Sequence, residues 1–186
     1  MNVKTISPEE ATETLQEVYS TLKKNRGKVA SLYEAQSLNP QTLKRSVDFN
    51  IEVMFGASPL KRYQKEMLAV MVSVFTDCYY SLEHHKEALS SYWKADHRVT
   101  SLIEDYSTAE IGRANRALCA YAEALTKNFD GEKVREIVQR MRELGLSDRE
   151  VLDAATIISY INFQVKMVKG LGVELEPDGG VGYWYD

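Results

Sequence analysis

The chain has 186 residues, 44% of them hydrophobic, enough to bury a sizeable core and within the usual span of one domain over residues 1–186. Lys and Arg number 23 against 27 Asp and Glu, and the net charge of -4 argues against a nucleic-acid partner, which would be held by neutralising phosphates. The N-terminal MNVKTISPEEATETLQ is polar where a secretory signal needs an apolar run, and no stretch approaches the ~20 apolar residues of a membrane helix, so a cytoplasmic chain with no membrane partner is expected.

Helix formers dominate, sustained period-2 alternation is almost absent, and Pro occurs only 4 times, so the fold class expected is all-α. Ser7-Pro8-Glu9-Glu10 reads as a helix start, with Ser7 as N-cap and acids at the positive end of the dipole. The helix it opens, 11–24, carries Leu15, Val18, Tyr19 and Leu22 on one face, and Gly27 ends it. After a short segment over 29–36, Asn39-Pro40 starts a helix through Met54, and Ser58-Pro59 starts a third that runs through Glu66 and MLAVMVSVF. That run is apolar almost all round, which predicts the central, most buried helix.

Thr76-Asp77 then reads as a cap, placing Cys78 in the first turn of a helix that extends toward Trp93. A helix over 107–126 presents Ile111, Ala114, Leu118, Tyr121, Ala122 and Leu125 on one side, with Cys119 among apolar neighbours. Residues 128–131 break the chain, 132–144 form a short amphipathic helix, and Gly145 stops it. Ser147 and Glu150 form a capping box for a last helix over 149–169, and the aromatic end Tyr183-Trp184-Tyr185 is expected to dock on its own or a partner subunit.

The chemistry concentrates in EMLAVMVSVFTDCYYSLEHHKEAL, which holds one of 2 cysteines and two of 3 histidines. Cys78, Ser81 and His85 are spaced to share one helix face, with Ser81 and His85 in direct reach of each other. The thiol near a helix N-terminus reads either as a reactive thiolate or as a buried small hydrophobe. Glu66 lies twelve residues earlier and joins the group only if the chain turns at Thr76-Asp77; a carboxylate in an apolar helix needs a partner, and His85 is the natural one. A metal site from Cys78, Glu83, His84 and His85 is disfavoured because adjacent helical residues point ~100° apart, so no metal and no cofactor is expected. His84 is therefore placed facing solvent or a neighbouring subunit. Tyr79 and Tyr80 read as aromatic packing at a subunit contact or as pocket lining. A Ser81-His85-Glu66 hydrolase lacks the glycine-rich elbow and oxyanion loop.

Glu66, Cys78, Ser81 and His85 match the pattern Glu-x11-Cys-x2-Cys-x3-His, with serine at the second cysteine. The pattern resembles the alkylhydroperoxidase D-like and carboxymuconolactone decarboxylase superfamily, in its peroxidase-related branch. ALCAYAEALT, LGLSDREVLDAATIISYINF, GLGVELE and the end GYWYD extend the resemblance from about Pro59 onward. It implies helical hairpins that carry the motif helix to a homo-oligomer interface. It also implies a second-position cysteine that attacks peroxide, a first that resolves it, and a Glu-His pair that relays the proton. On this chain those positions are Ser81, Cys78, Glu66 and His85. Serine cannot form a disulfide, so two-cysteine turnover is excluded. The family's Asn-Arg pair before GLGVELE also reads Val165-Lys166.

Three functions follow as expectations. The first is a peroxidase-related, antioxidant oxidoreductase in which a small hydroperoxide oxidises Cys78 alone and an external thiol restores it. The second is a non-redox acid–base enzyme of the carboxymuconolactone decarboxylase type, with His85 and Glu66 acting on a small organic acid. The third is a catalytically degenerate, oligomeric binding protein.

Overall fold

The computed structural model describes residues 1–127 and 129–184. Its described residues form helices α1 (Glu13–Arg26), α2 (Ser31–Glu34), α3 (Pro40–Phe55), α4 (Arg62–Phe75), α5 (Tyr79–Trp93), α6 (Asp96–Glu104), α7 (Arg113–Thr126), α8 (Gly131–Glu143) and α9 (Asp148–Leu171), and no strand. The all-α expectation is met.

α4 is the axis. Every residue from Lys65 to Ser73 is buried, because α5, α7 and α9 pack around it and α3 and α6 touch its flanks. The one cation in that stretch, Lys65, reaches the otherwise unpaired end of α3: Nζ donates to the Val53 and Gly56 carbonyls at 3.0 and 2.9 Å. Leu15, Val18, Tyr19 and Leu22 of α1 form a smaller second core with Leu43 and Val47 of α3. Cys119 is fully buried in the main core, as its neighbours predict.

Several boundaries differ from expectation, each for a local reason. Ser7 does not start α1. Its amide and hydroxyl donate to the Glu10 carboxylate at 3.4 and 3.2 Å and close a single turn. Glu13 at φ 50 prevents that turn from continuing, and Thr12 becomes the cap of α1. Ser58 likewise serves a turn: its hydroxyl accepts from Leu60 N and donates to Asp153 at 2.5 Å, while α4 begins after Lys61. Cys78 is the N-cap residue of α5 rather than part of its first turn. The expected elements omit α6, which buries Val99 and Leu102, and α7 begins at Arg113 rather than Ser107. The capping box of α9 forms as expected, with Glu150 accepting from Ser147 N at 2.7 Å and Ser147 accepting from Glu150 N at 3.3 Å.

After α9, residues 173–184 run back as a strap over α2 and α5. Asp178 accepts from Lys28 at 2.6 Å, and Trp184 N donates to Arg26 O at 3.3 Å. The aromatic end thus docks on its own chain through Tyr183, which is buried, and Trp184; Tyr185 lies outside the described residues.

Candidate functional site

The site exists because the chain reverses between α4 and α5. Thr76 Oγ1 donates to Val72 O at 2.7 Å, Asp77 takes φ 48, and Cys78 N donates to Ser73 O at 3.0 Å. This tight turn folds α5 along α4, so two residues nineteen apart meet: His85 Nδ1 lies 2.6 Å from Glu66 Oε2. Arg62, one turn before Glu66 on α4, pairs with the other carboxylate oxygen.

Glu66 is only 2% exposed. Burial alone would push its carboxyl up, but Arg62 and His85 outweigh that and hold it at about 2. An ionised carboxylate can only accept, so His85 donates from Nδ1 and turns the lone pair of Nε2 away from Glu66. This is the geometry of an oriented general base. Phe55 supports it from behind, with the Arg62 guanidinium carbon 4.2 Å from its ring centroid.

His85, Glu66 and Ser81 line one cavity of about 100 Å3. The cations Arg26, Lys28 and Arg62, the phenols Tyr33, Tyr80 and Tyr183, the amides Asn50 and Gln164, and apolar Met54, Phe55 and Ile161 complete most of its wall. Among these lining residues Glu66 is the one carboxylate beside three cations, of which Arg62 is paired with Glu66 itself and Lys28 with Asp178.

The expected cluster assembles in part. Ser81, 6% exposed, does not hydrogen-bond His85. Its hydroxyl lies 2.7 Å from Ser73 Oγ, which itself donates to Ala69 O at 2.7 Å. Ser73 has one proton and has given it away, so Ser81 donates to Ser73 and offers the cavity only acceptor lone pairs. A serine nucleophile activated by His85 is not what this arrangement provides. Cys78 is 4% exposed and is not among the cavity-lining residues. Burial pushes its thiol up, and the opposing pull of the Ser81 backbone and Lys169 is smaller.

His84 corrects the expectation of a solvent-facing residue. It lines the cavity too, and its Nε2 lies 2.9 Å from Glu176 Oε2 on the strap. Glu176 also accepts from Ser31 N at 2.7 Å and from the Tyr80 hydroxyl at 2.9 Å. Burial raises its carboxyl, but His84 and the Ser31 amide outweigh burial and hold it at about 2. The His84 ring sits between Tyr80 and Tyr183, at centroid distances of 4.6 and 5.1 Å. Tyr79, by contrast, is 66% exposed. The candidate metal ligands do not converge, since His84 and His85 are committed to different carboxylates and Glu83 faces Lys86 at 3.4 Å.

Arg62, Glu176, Tyr183, Arg26 and Lys28 are site residues that the sequence does not single out. Arg62 was findable, being four residues before Glu66 on one helix face. The others come from distant segments and carry no local signal.

No family profile and no curated protein matches the chain. Solved structures do. A peroxidase-related protein from Ralstonia eutropha JMP134 with an alkylhydroperoxidase AhpD core superposes with a TM-score of 0.84 at 17% identity, over 96% of this chain and 94% of that one. A peroxidase-related protein from Silicibacter sp. TM1040 gives 0.79 at 20% identity, over 97% and 91%. The debrominase Bmp8 gives 0.78 at 16% identity, over 94% and 92%. The chain has the fold of the alkylhydroperoxidase D-like superfamily.

Proposed function

We propose that the chain is a member of the alkylhydroperoxidase D-like and carboxymuconolactone decarboxylase superfamily that has left thiol chemistry. It works as a non-redox acid–base enzyme on a small organic acid, with His85 as the base and Glu66 as the group that orients it. One observation carries the reading: His85 and Glu66 face the cavity, while Cys78 is buried beside it with a raised thiol. Arg26, Lys28 and Arg62 in the wall offer N–H donors to a carboxylate. The fold does not oppose this, since its solved examples include a debrominase as well as peroxidase-related proteins.

The single-cysteine peroxidase is supported less well. It needs a thiolate in contact with peroxide, and burial disfavours that form of Cys78.

The test combines turnover and labelling. Proton NMR of small organic acids incubated with the protein should show turnover that survives Cys78→Ser and falls at least ~100-fold in His85→Ala. Mild peroxide followed by dimedone should leave Cys78 unlabelled by mass spectrometry. Loss of turnover in Cys78→Ser, or a stoichiometric dimedone adduct on Cys78, would overturn the reading.

A further inference from the structure

Two histidines line one cavity, each paired with a carboxylate. His85 is held by Glu66 through Nδ1, and His84 is held by Glu176 through Nε2. The pairs are anchored independently, one inside α4 and one on the strap. Neither remaining ring nitrogen, Nε2 of His85 or Nδ1 of His84, has a hydrogen-bond partner among the described residues. A lone base needs only one such pair. A second histidine, braced between two tyrosine rings and fixed by a carboxylate that also binds a phenol and a backbone amide, is more than packing requires.

From this juxtaposition we propose that His84, with Glu176 and Tyr80 behind it, is a second proton-transfer site, so that the cavity is built to enolise a small 2-oxo acid. This rests on the acid–base reading above and names its substrate class. Nε2 of His85 takes a proton from the carbon next to the carbonyl. The C–H electron pair becomes the C=C bond, the C=O π pair moves onto oxygen, and that oxygen takes the Nδ1 proton of the His84 imidazolium. The product is the enol. Nothing is oxidised or reduced, and water exchanges protons with the two rings to restore them. Arg26, Lys28 and Arg62 in the wall offer N–H donors to the carboxylate. The acceptor Gln164 Oε1 and the Tyr183 hydroxyl, both buried and without a partner, offer polar contacts to the rest of the ligand.

The charged and titratable groups around His84 are Glu176 and Tyr183 of the strap, Tyr80 one turn earlier on α5, and Lys28, which lies 4.4 Å from the Tyr183 ring centroid. Glu176 is held ionised, so it keeps its acceptor role toward His84.

The experiment follows deuterium incorporation into 2-oxobutyrate in D2O by NMR, from pH 5 to 9. Wild type should exchange the protons next to the carbonyl with a bell-shaped profile. His85→Asn should lose the exchange. His84→Asn should slow it by ~100-fold and erase the alkaline limb while keeping the acid limb, which a merely structural role would not do. Glu176→Gln should slow it by ~10-fold. A wild-type chain that turns over organic acids without exchanging 2-oxobutyrate overturns this inference and leaves the broader reading standing. The inference fails in the same way if His84→Asn only scales the whole profile or changes nothing.

Discussion

At the residue scale, the energetics of the site turn on Glu66. A carboxylate this deep is tolerated because the Arg62 guanidinium and the His85 ring N–H compensate its desolvation, and the same compensation ties stability to pH. Its folded value of about 2 lies below the ordinary 4.5, so its contribution is fully present above pH 4.5 and disappears as pH falls toward 2. The size of that contribution is about 3 kcal/mol. Urea midpoints measured from pH 7 down to 2 should therefore fall more steeply in wild type than in Glu66→Gln. At pH 7 the variant should lose about 3 kcal/mol, because Arg62 then stands without its counter-charge. Equal pH slopes in the two proteins would show that Glu66 is not held ionised. The residue-level signal was legible in sequence as far as it was local: a carboxylate in an apolar run, and a histidine able to meet it across a turn. The orientation of Ser81 was not legible, because it depends on Ser73, eight residues earlier on α4, having already given its proton to Ala69.

At the element scale, the site depends on where α5 begins and ends. Its start is fixed by Asp77 in the left-handed region, and its end by Lys94 at φ 51 and ψ 36. Both are non-glycine residues in a conformation that costs an L side chain about 1 kcal/mol or more. Lys94 is exposed, and its amide still closes α5 on the Ser90 carbonyl at 2.8 Å. Lys94→Gly should therefore stabilise the protein by ~0.5 kcal/mol, the relief of strain exceeding the added chain entropy, with a thermal midpoint higher by ~2 °C. A lower midpoint would mean that the lysine stem contributes packing worth more than the strain. The all-round apolar run located α4, and amphipathic spacing and the capping box located α8 and α9 nearly whole. The boundaries that failed, at Ser7, Ser58 and Ser107, are places where a polar side chain closes a turn of its own (Ser7 with Glu10, Ser58 with Leu60, Asp105 with Ser107), so cap chemistry is present without a helix behind it. α6 was missed although Val99 and Leu102 sit one turn apart, because only nine residues carry the pattern.

At the scale of the whole molecule, the cavity is closed by the part of the chain least readable in advance. The strap has no periodicity to announce its path, and its glycines at 179, 180 and 182 take φ of 76, 71 and 81. What holds it is polar and long-range: Glu176 to Ser31, Tyr80 and His84, Asp178 to Lys28, and Tyr183 laid against His84. Of these anchors only Tyr80 belongs to the α4 core, and of the strap only Val173 and Leu175, at its start, pack into it. Removing the strap should therefore uncouple cavity closure from folding. A chain ended at Val173 is expected to keep its helical circular dichroism and a cooperative melt at a lowered midpoint. It should also expose the walls formed by Tyr80, Phe55 and Ile161, which an apolar dye such as anilinonaphthalene sulfonate would report as increased fluorescence. Glu176→Gln separates the causes. It keeps the tail but weakens its main anchor, which accepts charge-assisted hydrogen bonds. Dye binding should then be intermediate, and hydrogen exchange at the Ser31 amide, bonded to Glu176 in the intact protein, should accelerate while amides of α4 stay protected. If truncation instead melts α4 together with the strap, closure and folding are one transition, and the strap belongs to the core rather than to the cavity.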